Sequence, residues 1–139
     1  MLLSINFENI EKLNQFLQIA GDSLKSFRYY TKRPLKVIQN HICTYLLIDE
    51  SGVPVAYGHL DQDEGAVWLG IAVAEGCRGM GLGRKMMNAL IATAKEKNLE
   101  EIYLTVDRGN STAIEFYEIY SFEKVEDHVL YYKYRLRLK

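Results

Sequence analysis

The sequence predicts an α/β fold of the α+β type: one domain with a mixed, mostly antiparallel sheet and helices on both faces. Several short segments alternate apolar and polar residues or are apolar throughout, which is typical of strands. Short turns join three consecutive strands, whereas a helix connects the third of them to the next, which predicts one parallel pair. The chain has 139 residues and no linker or repeat, so one domain is predicted over residues 1–139.

The first half of the chain is predicted to begin with a strand over residues 2–7 and a helix that starts at Asn9 and is stopped by Gly21. Residues 23–33 are less regular, with interleaved aromatic and basic side chains, and a short helix is expected after Pro34. Strands are predicted over residues 44–49, 53–61 and 66–74, and their short turns favour antiparallel pairing.

The second half is predicted to contain two more helices. One follows a glycine-rich segment and ends near Asn98, and the strand after it covers residues 102–106, so residues 66–106 form a right-handed crossover. The other helix is capped by Asn110, Ser111 or Thr112, and a capping box from Thr112 to Glu115 has the right spacing. Strands over residues 122–127 and 129–138 are expected to close the chain as a hairpin.

The composition indicates which kinds of partner and which cellular compartment to expect. The formal net charge is −1, which argues against nucleic acid or an anionic membrane as the main partner. The longest apolar stretch, residues 66–74, is too short to span a membrane. Cys43 and Cys77 lack metal-type and redox-type spacing, so we expect no disulfide framework, no metal site and a cytoplasmic location. The N-terminal segment turns polar too soon for a signal peptide.

The most informative segment is CRGMGLGRKM, residues 77–86, which places three glycines directly before a helix. The first turn of a helix has backbone N–H groups without partners and carries partial positive charge. Glycines let the backbone curl and let a ligand approach closely. With Arg78 and Arg84 on either side, the turn suits a phosphate or pyrophosphate.

Two common phosphate-binding motifs fit this segment poorly. A P-loop requires Gly-Lys followed by Ser or Thr, whereas Gly83 is followed by Arg84, Lys85 and Met86. A dinucleotide fingerprint that starts at Gly79 requires glycine where Arg84 stands. A nucleotide-binding protein of another kind and a glycine-rich turn without any ligand stay as alternatives.

Two motifs resemble those of the GNAT superfamily of N-acetyltransferases. RGMGLG, residues 78–83, resembles the family's R/Q-x-x-G-x-G/A acetyl-CoA signature, and the strand before it resembles the family's central strand. Asn110, Ala113, Phe116-Tyr117 and Phe122 resemble the family's N-x-x-A-x-x-F-Y-x-x-x-G-F stretch, although Ser121 stands where the family has glycine. The order of elements agrees over nearly the whole chain, so the resemblance implies a GNAT-like fold.

The resemblance implies acetyl-CoA as co-substrate. The pantetheine arm would lie in the gap between the central strand and the strand after the crossover, where it would pair with backbone groups. Backbone N–H groups of residues 78–84 would hold the pyrophosphate, and Asn110 would support the cofactor arm from the other side. The implied cofactor-binding residues are Ile71, Ala72, Val73, Arg78, Gly79, Met80, Gly81, Leu82, Gly83, Arg84, Asn110, Ala113 and Tyr117.

The implied reaction is acetyl transfer from the thioester to a primary amine of a small molecule, such as an amino sugar or an amino-acid-like metabolite. Tyr117 matches the family's general-acid position, and a phenol with a pKa of about 10 can protonate the leaving thiolate. Its alternative role is that of a core aromatic residue. The general base stays open between His59 and Glu64, with Asp61, a water chain or no direct base as further alternatives.

The resemblance places the acceptor site under residues 23–33. Arg28 is predicted to meet an anionic group of the acceptor, and Tyr29 and Tyr30 to form an aromatic wall, with a solvated loop as the alternative. The C-terminal strand is a candidate for pairing in a homodimer. A non-catalytic acyl-CoA sensor of the same fold is the alternative function, against which Tyr117 argues because a sensor needs no thiol proton donor.

Overall fold

A computed structural model describes all 139 residues and contains one seven-stranded sheet. The strands are β1 (Leu2–Ser4), β2 (His41–Ile48), β3 (Pro54–Asp63), β4 (Ala66–Val73), β5 (Glu101–Asp107), β6 (Glu123–Asp127) and β7 (Tyr131–Arg137). Their order across the sheet is β1-β2-β3-β4-β5-β7-β6. Only β4 and β5 are parallel, so the predicted mixed and mostly antiparallel sheet is confirmed.

Three α-helices accompany the sheet: α1 (Ile10–Ile19), α2 (Leu82–Glu96) and α3 (Ser111–Ile119). Residues 20–40, expected to be irregular with one short helix, contain three 3₁₀ helices, over Gly21–Lys25, Tyr29–Thr31 and Leu35–Asn40. The first strand is shorter than predicted, because the side chains of Asn6 and Asn9 accept backbone hydrogen bonds and turn the chain. No helix has the length and apolar character needed to cross a membrane.

The helices lie on both faces of the sheet, as predicted. Helix α1 packs Leu13 and Phe16 against Leu46 and Tyr57, and these residues belong to one buried cluster. A second and larger cluster contains the buried faces of α2 and α3 together with the opposite side of the strands. Because side chains alternate along a strand, neighbouring residues can enter opposite clusters: on β3, Tyr57 belongs to the first cluster and Ala56 to the second. We call the side that α1 covers the α1 face.

Of the predicted capping residues of α3, Asn110 takes the N-cap position. The side chain of Asn110 accepts a hydrogen bond from the backbone N–H of Ala113, at 3.3 Å. Thr112 therefore lies inside the helix, and the capping box with Glu115 is not formed, because Asn110 already takes the capping position.

Candidate active site

A cleft opens between the two parallel strands at the centre of the sheet. Strands β4 and β5 are paired at a single position, Trp68 with Tyr103. Beyond it, the rest of β4 remains paired with β3, and β5 remains paired with β7, but the two strands do not pair with each other. Apart from the carbonyl of Val73, which accepts a hydrogen bond from Ser23, their facing backbone N–H and C=O groups have no strand partner and could pair with an extended ligand.

The glycine-rich turn lies directly after the carboxyl end of β4. Gly79 and Gly81 have φ angles of 81° and 76°, in the left-handed region that favours glycine, and a Cβ on either would meet nothing within 4 Å. Gly81 precedes α2, whose N-terminus has no side-chain cap. The free N–H groups and positive end of a 15-residue helix therefore face an open turn, which suits a phosphate group.

Tyr117 is buried on α3, with 9% of its surface exposed. Helix α3 packs against the start of α2 and the end of β4, because a Cβ built on Gly83 would contact both Phe116 and Val73. Burial alone raises the pKa of the Tyr117 phenol, and its hydroxyl has no hydrogen-bond partner within the chain. The residue is thus a protonated phenol at neutral pH with a free donor, on the helix beside the cleft.

His59 occupies the opposite, α1 face of the sheet and is 2% exposed. Its Nδ1 atom is 2.6 Å from the Tyr57 hydroxyl, which in turn is 2.6 Å from the Tyr30 hydroxyl. A Cβ built on Gly70, its partner on β4, would lie 2.5 Å from Nε2. Burial lowers the pKa of His59 well below its ordinary value. The imidazole is therefore neutral, and its Nε2 atom lies over the backbone of β4, one residue before Ile71.

A second hydrogen-bonded group lies beside His59. The Tyr29 hydroxyl donates to the Asp61 carboxylate and contacts His41 Nε2, both at 2.8 Å. Thr44 completes the group through Nδ1 of His41, at 2.7 Å. Burial lowers the pKa of His41 to about 4. The two histidine rings are 4.5 Å apart between centroids, so both networks form one polar cluster on the α1 face.

Residues 28–30 cross the sheet above β4. Tyr29 and Tyr30 bind side chains of β3, whereas Arg28 forms two hydrogen bonds with Asp107 at the end of β5, at 2.9 and 3.0 Å. Because β4 lies between β3 and β5, this segment passes over the region where β4 and β5 diverge. It forms one wall of the cleft on the α1 face.

Comparison with known proteins identifies the family. Residues 8–122 match the profile of the acetyltransferase (GNAT) family. The chain belongs to this family. A protein of Danio rerio named N-alpha-acetyltransferase 50 is 39% identical over 57 residues, which cover 40% of this chain and 34% of that protein. The chain thus matches about a third of that relative's length.

Solved structures agree on the fold. An N-acetyltransferase from Staphylococcus aureus Mu50 has a TM-score of 0.79 and 18% identity, covering 100% of this chain and 98% of that one. The PaiA N-acetyltransferase from Thermoplasma acidophilum, in complex with coenzyme A, has a TM-score of 0.77 and 14% identity, covering 99% and 98%. Membership confirms the predicted family and fold and, for enzymes of this family, acetyl-CoA as the co-substrate.

Several of the residues expected from the sequence lie near one another. The edge of β4 over residues 69–73 leads into the turn over residues 78–84, Tyr117 lies on the helix that packs against this turn, and His59 and Tyr29 lie together on the α1 face. Glu64 stands apart: it lies in the turn between β3 and β4, at the opposite end of β4 from the glycine turn. Asn110 uses its side chain to cap α3, and Ala113 packs beside the larger core cluster.

Three further residues shape the site without having been singled out from the sequence. Tyr57 and His59 are two positions apart on one strand, and this spacing was the available signal that they share a face. Gly70 makes room for the His59 ring, and only the strand register reveals that. Ser23 contacts both Val73 and Arg78, and no local pattern in the sequence points to it.

Proposed function

We propose that this chain is an acetyl-CoA-dependent N-acetyltransferase that acetylates a primary amine of a small molecule. The observation that carries the proposal is the divergence of β4 and β5 beyond Trp68 and Tyr103, with the glycine turn at one end and the unbonded Tyr117 hydroxyl on the adjacent helix. The residues present fit the co-substrate: free strand edges suit its amide-containing arm, and an uncapped helix N-terminus suits its pyrophosphate.

Acetyl-CoA would supply the activated acetyl group as a thioester. The backbone groups of Ile71 and Val73 would hold the arm, and N–H groups of residues 78–84 would hold the phosphates. Ala72, also expected from the sequence to bind the arm, pairs with Tyr57 on β3 instead. A backbone N–H of β4 would stabilise negative charge on the acetyl oxygen. Tyr117 would donate its proton to the departing thiolate, since its phenol remains protonated at neutral pH.

His59 is our preferred base for the acceptor amine. Its Nε2 atom lies against β4 at Gly70, next to the positions assigned to the cofactor arm. Tyr57 binds Nδ1 and thereby fixes the orientation of the ring. Because burial lowers the pKa of His59, the imidazole is a weak base. It would therefore take the proton only as the amine attacks. Glu64, at the far end of β4, is the less favoured candidate.

The acceptor would enter along the α1 face, under the wall formed by Arg28, Tyr29 and Tyr30. The wall is anchored on β3 and on β5, which narrows the opening above the cleft and favours a small amine over a folded protein surface. The name of the Danio rerio relative indicates an N-alpha acceptor, so peptides with a free α-amine belong in the acceptor screen.

The proposal is tested in two stages. Thermal unfolding with acetyl-CoA, CoA, ATP and NADH should show stabilisation by the first two alone, about 2.7 kcal/mol at a hundred times the dissociation constant. In an acceptor screen, Tyr117→Phe should lower kcat about a hundredfold or more while the CoA affinity stays unchanged. Tyr45→Phe is the matched control. It also removes one phenol hydroxyl, but that hydroxyl binds Thr93 on α2 and has no role in the proposed reaction.

Three results would contradict the proposal. Stabilisation by ATP or NADH without stabilisation by CoA would mean that the turn holds another nucleotide. CoA binding without turnover on any amine would favour the sensor function. Turnover only with peptide α-amines would retain the enzyme but replace the small-molecule acceptor.

A further inference from the structure

Ser23 connects the segment after α1 to the cofactor turn. It is 4% exposed and one of only three buried polar residues. Its hydroxyl donates to the carbonyl oxygen of Val73, the last residue of β4, and accepts a hydrogen bond from Nη2 of Arg78 at 2.9 Å. Beside it, the carbonyl of Ala20 accepts from the backbone N–H of Glu75, at 3.0 Å. Residues 20–23 thus hold both ends of the turn over residues 73–78.

Arg78 has unused binding capacity. It is the first residue of the RGMGLG motif, is exposed, and takes part in none of the ion pairs of the chain. The contact with Ser23 uses one of its five N–H donors. The nearby Asp22 carboxylate pairs with Lys25 at 3.0 Å. Its pKa is lowered mainly by Lys25, then by a hydrogen bond with Glu75, and least by the charge of Arg78.

We propose that Ser23 is a positioning residue that holds the Arg78 guanidinium beside the glycine turn, where it binds a phosphate of acetyl-CoA. An unrestrained arginine loses side-chain entropy when it binds, whereas one held in advance loses less. The hydroxyl of Ser23 is neutral, so it orients the guanidinium without cancelling its charge, and the remaining N–H donors stay available for phosphate oxygens. This inference rests on the proposed function.

The donation from Ser23 to Val73 adds a second effect. The Val73 carbonyl terminates the free edge of β4 along which the cofactor arm is expected to lie. Because the same hydroxyl binds Val73 and Arg78, it fixes the position of the guanidinium relative to that edge. The distance between the arm-binding and phosphate-binding groups is thereby set by a side chain from outside the motif.

A double-mutant cycle tests this inference by calorimetry with CoA and by kinetics with two donors. Ser23→Ala and Arg78→Met should each weaken CoA binding about tenfold, and the double variant should be no weaker than Arg78→Met. S-acetylpantetheine lacks the phosphates, so both single variants should lower kcat/KM much less with this donor than with acetyl-CoA. Ser23→Thr keeps the hydroxyl and should retain wild-type affinity for CoA. Ser26→Ala is the matched control, because Ser26 is exposed and its hydroxyl contacts only the carbonyl of Ser23.

The outcomes separate this inference from the proposed function. If the wild-type protein does not bind CoA, the proposed function fails. If it binds CoA and Arg78→Met binds equally well, the inference is wrong. We expect Arg78→Met to fold normally, because it alters only an exposed side chain. Additive losses in the double variant, or equal losses with both donors, would also overturn it, since Ser23 would then act through the fold and not through Arg78.

Discussion

The imidazole of His59 lies directly over Gly70, its cross-strand partner. A Cβ on Gly70 would be 2.5 Å from Nε2 and 2.6 Å from Cε1, closer than such contacts occur in proteins. The ring is held from the other side by the Tyr57 hydroxyl, at 2.6 Å from Nδ1, so it cannot move away without losing that bond. His59 can therefore occupy this position only because residue 70 of β4 is a glycine.

Gly70→Ala should displace the His59 ring and lower kcat by about ten- to a hundredfold, because small errors in position are costly in catalysis. Overpacking should also destabilise the fold by about 1–3 kcal/mol. Both effects are measured by steady-state kinetics and by thermal unfolding. Gly109→Ala is the control, since a Cβ there meets nothing within 4 Å. An unchanged kcat in Gly70→Ala would show that His59 does not take part in the reaction.

Stability should fall as the pH falls below neutrality. In the folded protein burial lowers the pKa of His41 to about 4 and lowers that of His59 well below 6.5, so both rings are neutral at neutral pH. In the unfolded chain each ring takes up a proton near pH 6.5. The unfolded state therefore binds more protons below about pH 6.5, and the free energy of unfolding decreases there.

Calorimetry between about pH 7.5 and 5 would measure this slope. The groups that face the two rings are Tyr29, Tyr57 and Asp61, with Thr44 on His41, and the charge of Arg33 also lowers the pKa of both rings. His41→Gln should give a smaller loss of stability over this range than the wild-type protein. His128→Gln is the control substitution, because it replaces a histidine on the surface, outside the buried cluster. Equal slopes in His41→Gln and the wild-type protein would contradict the assignment.

Arg28 is expected to combine a structural and a substrate-binding role. It pairs with Asp107 through two hydrogen bonds and lowers the pKa of that carboxyl, but both side chains are substantially exposed. Such a pair stabilises a fold by about 1 kcal/mol at most. Arg28→Ala should therefore change stability little, yet raise KM for an anionic acceptor. Asp107→Ala frees the guanidinium and should lower the same KM. A rise in KM in both variants would show that the pair only anchors the wall.

The strands and helices could be predicted from the sequence because periodicity reports which face of an element is buried. The apolar spacing after the glycine turn contains this information locally, whereas β3 is buried on both faces from Pro54 to Leu60. The register that opposes His59 to Gly70 does not appear in either strand alone. The pair of Arg28 with Asp107 joins residues 79 positions apart, and only the folded chain brings them together.

The candidate site was predictable where its groups belong to the backbone of a motif, as in residues 78–83. It was not predictable where side chains arrive from a distant segment, as with Ser23. Residues 20–40 form 3₁₀ helices whose side chains are set by contacts with β3 and the cofactor turn, so their local sequence gives weak signals. For Ser121, the sequence indicated a departure from the family pattern, and the structure gives its physical consequence.

Ser121 occupies the left-handed region at the end of α3, with a φ angle of 73°. Its N–H donates to the carbonyl oxygen of Glu118, and the N–H of Phe122 donates to the carbonyl oxygen of Tyr117. These two bonds form the Schellman motif. The rings of Tyr117 and Phe122 lie 5.8 Å apart between centroids and supply the accompanying apolar contact. The family's backbone conformation is thus kept, but by a residue for which it is strained.

Ser121→Gly should relieve this strain. The gain is partly offset by the greater entropy of glycine in the unfolded chain, which leaves about 0.5–1 kcal/mol of stabilisation. The unfolding midpoint should rise by roughly 2–4 °C. Ser111→Gly is the matched control, because Ser111 is the first residue of the same helix and has no positive φ. Glycine there should be neutral or destabilising. A loss of stability in Ser121→Gly would mean that the serine side chain contributes more than its strained backbone costs.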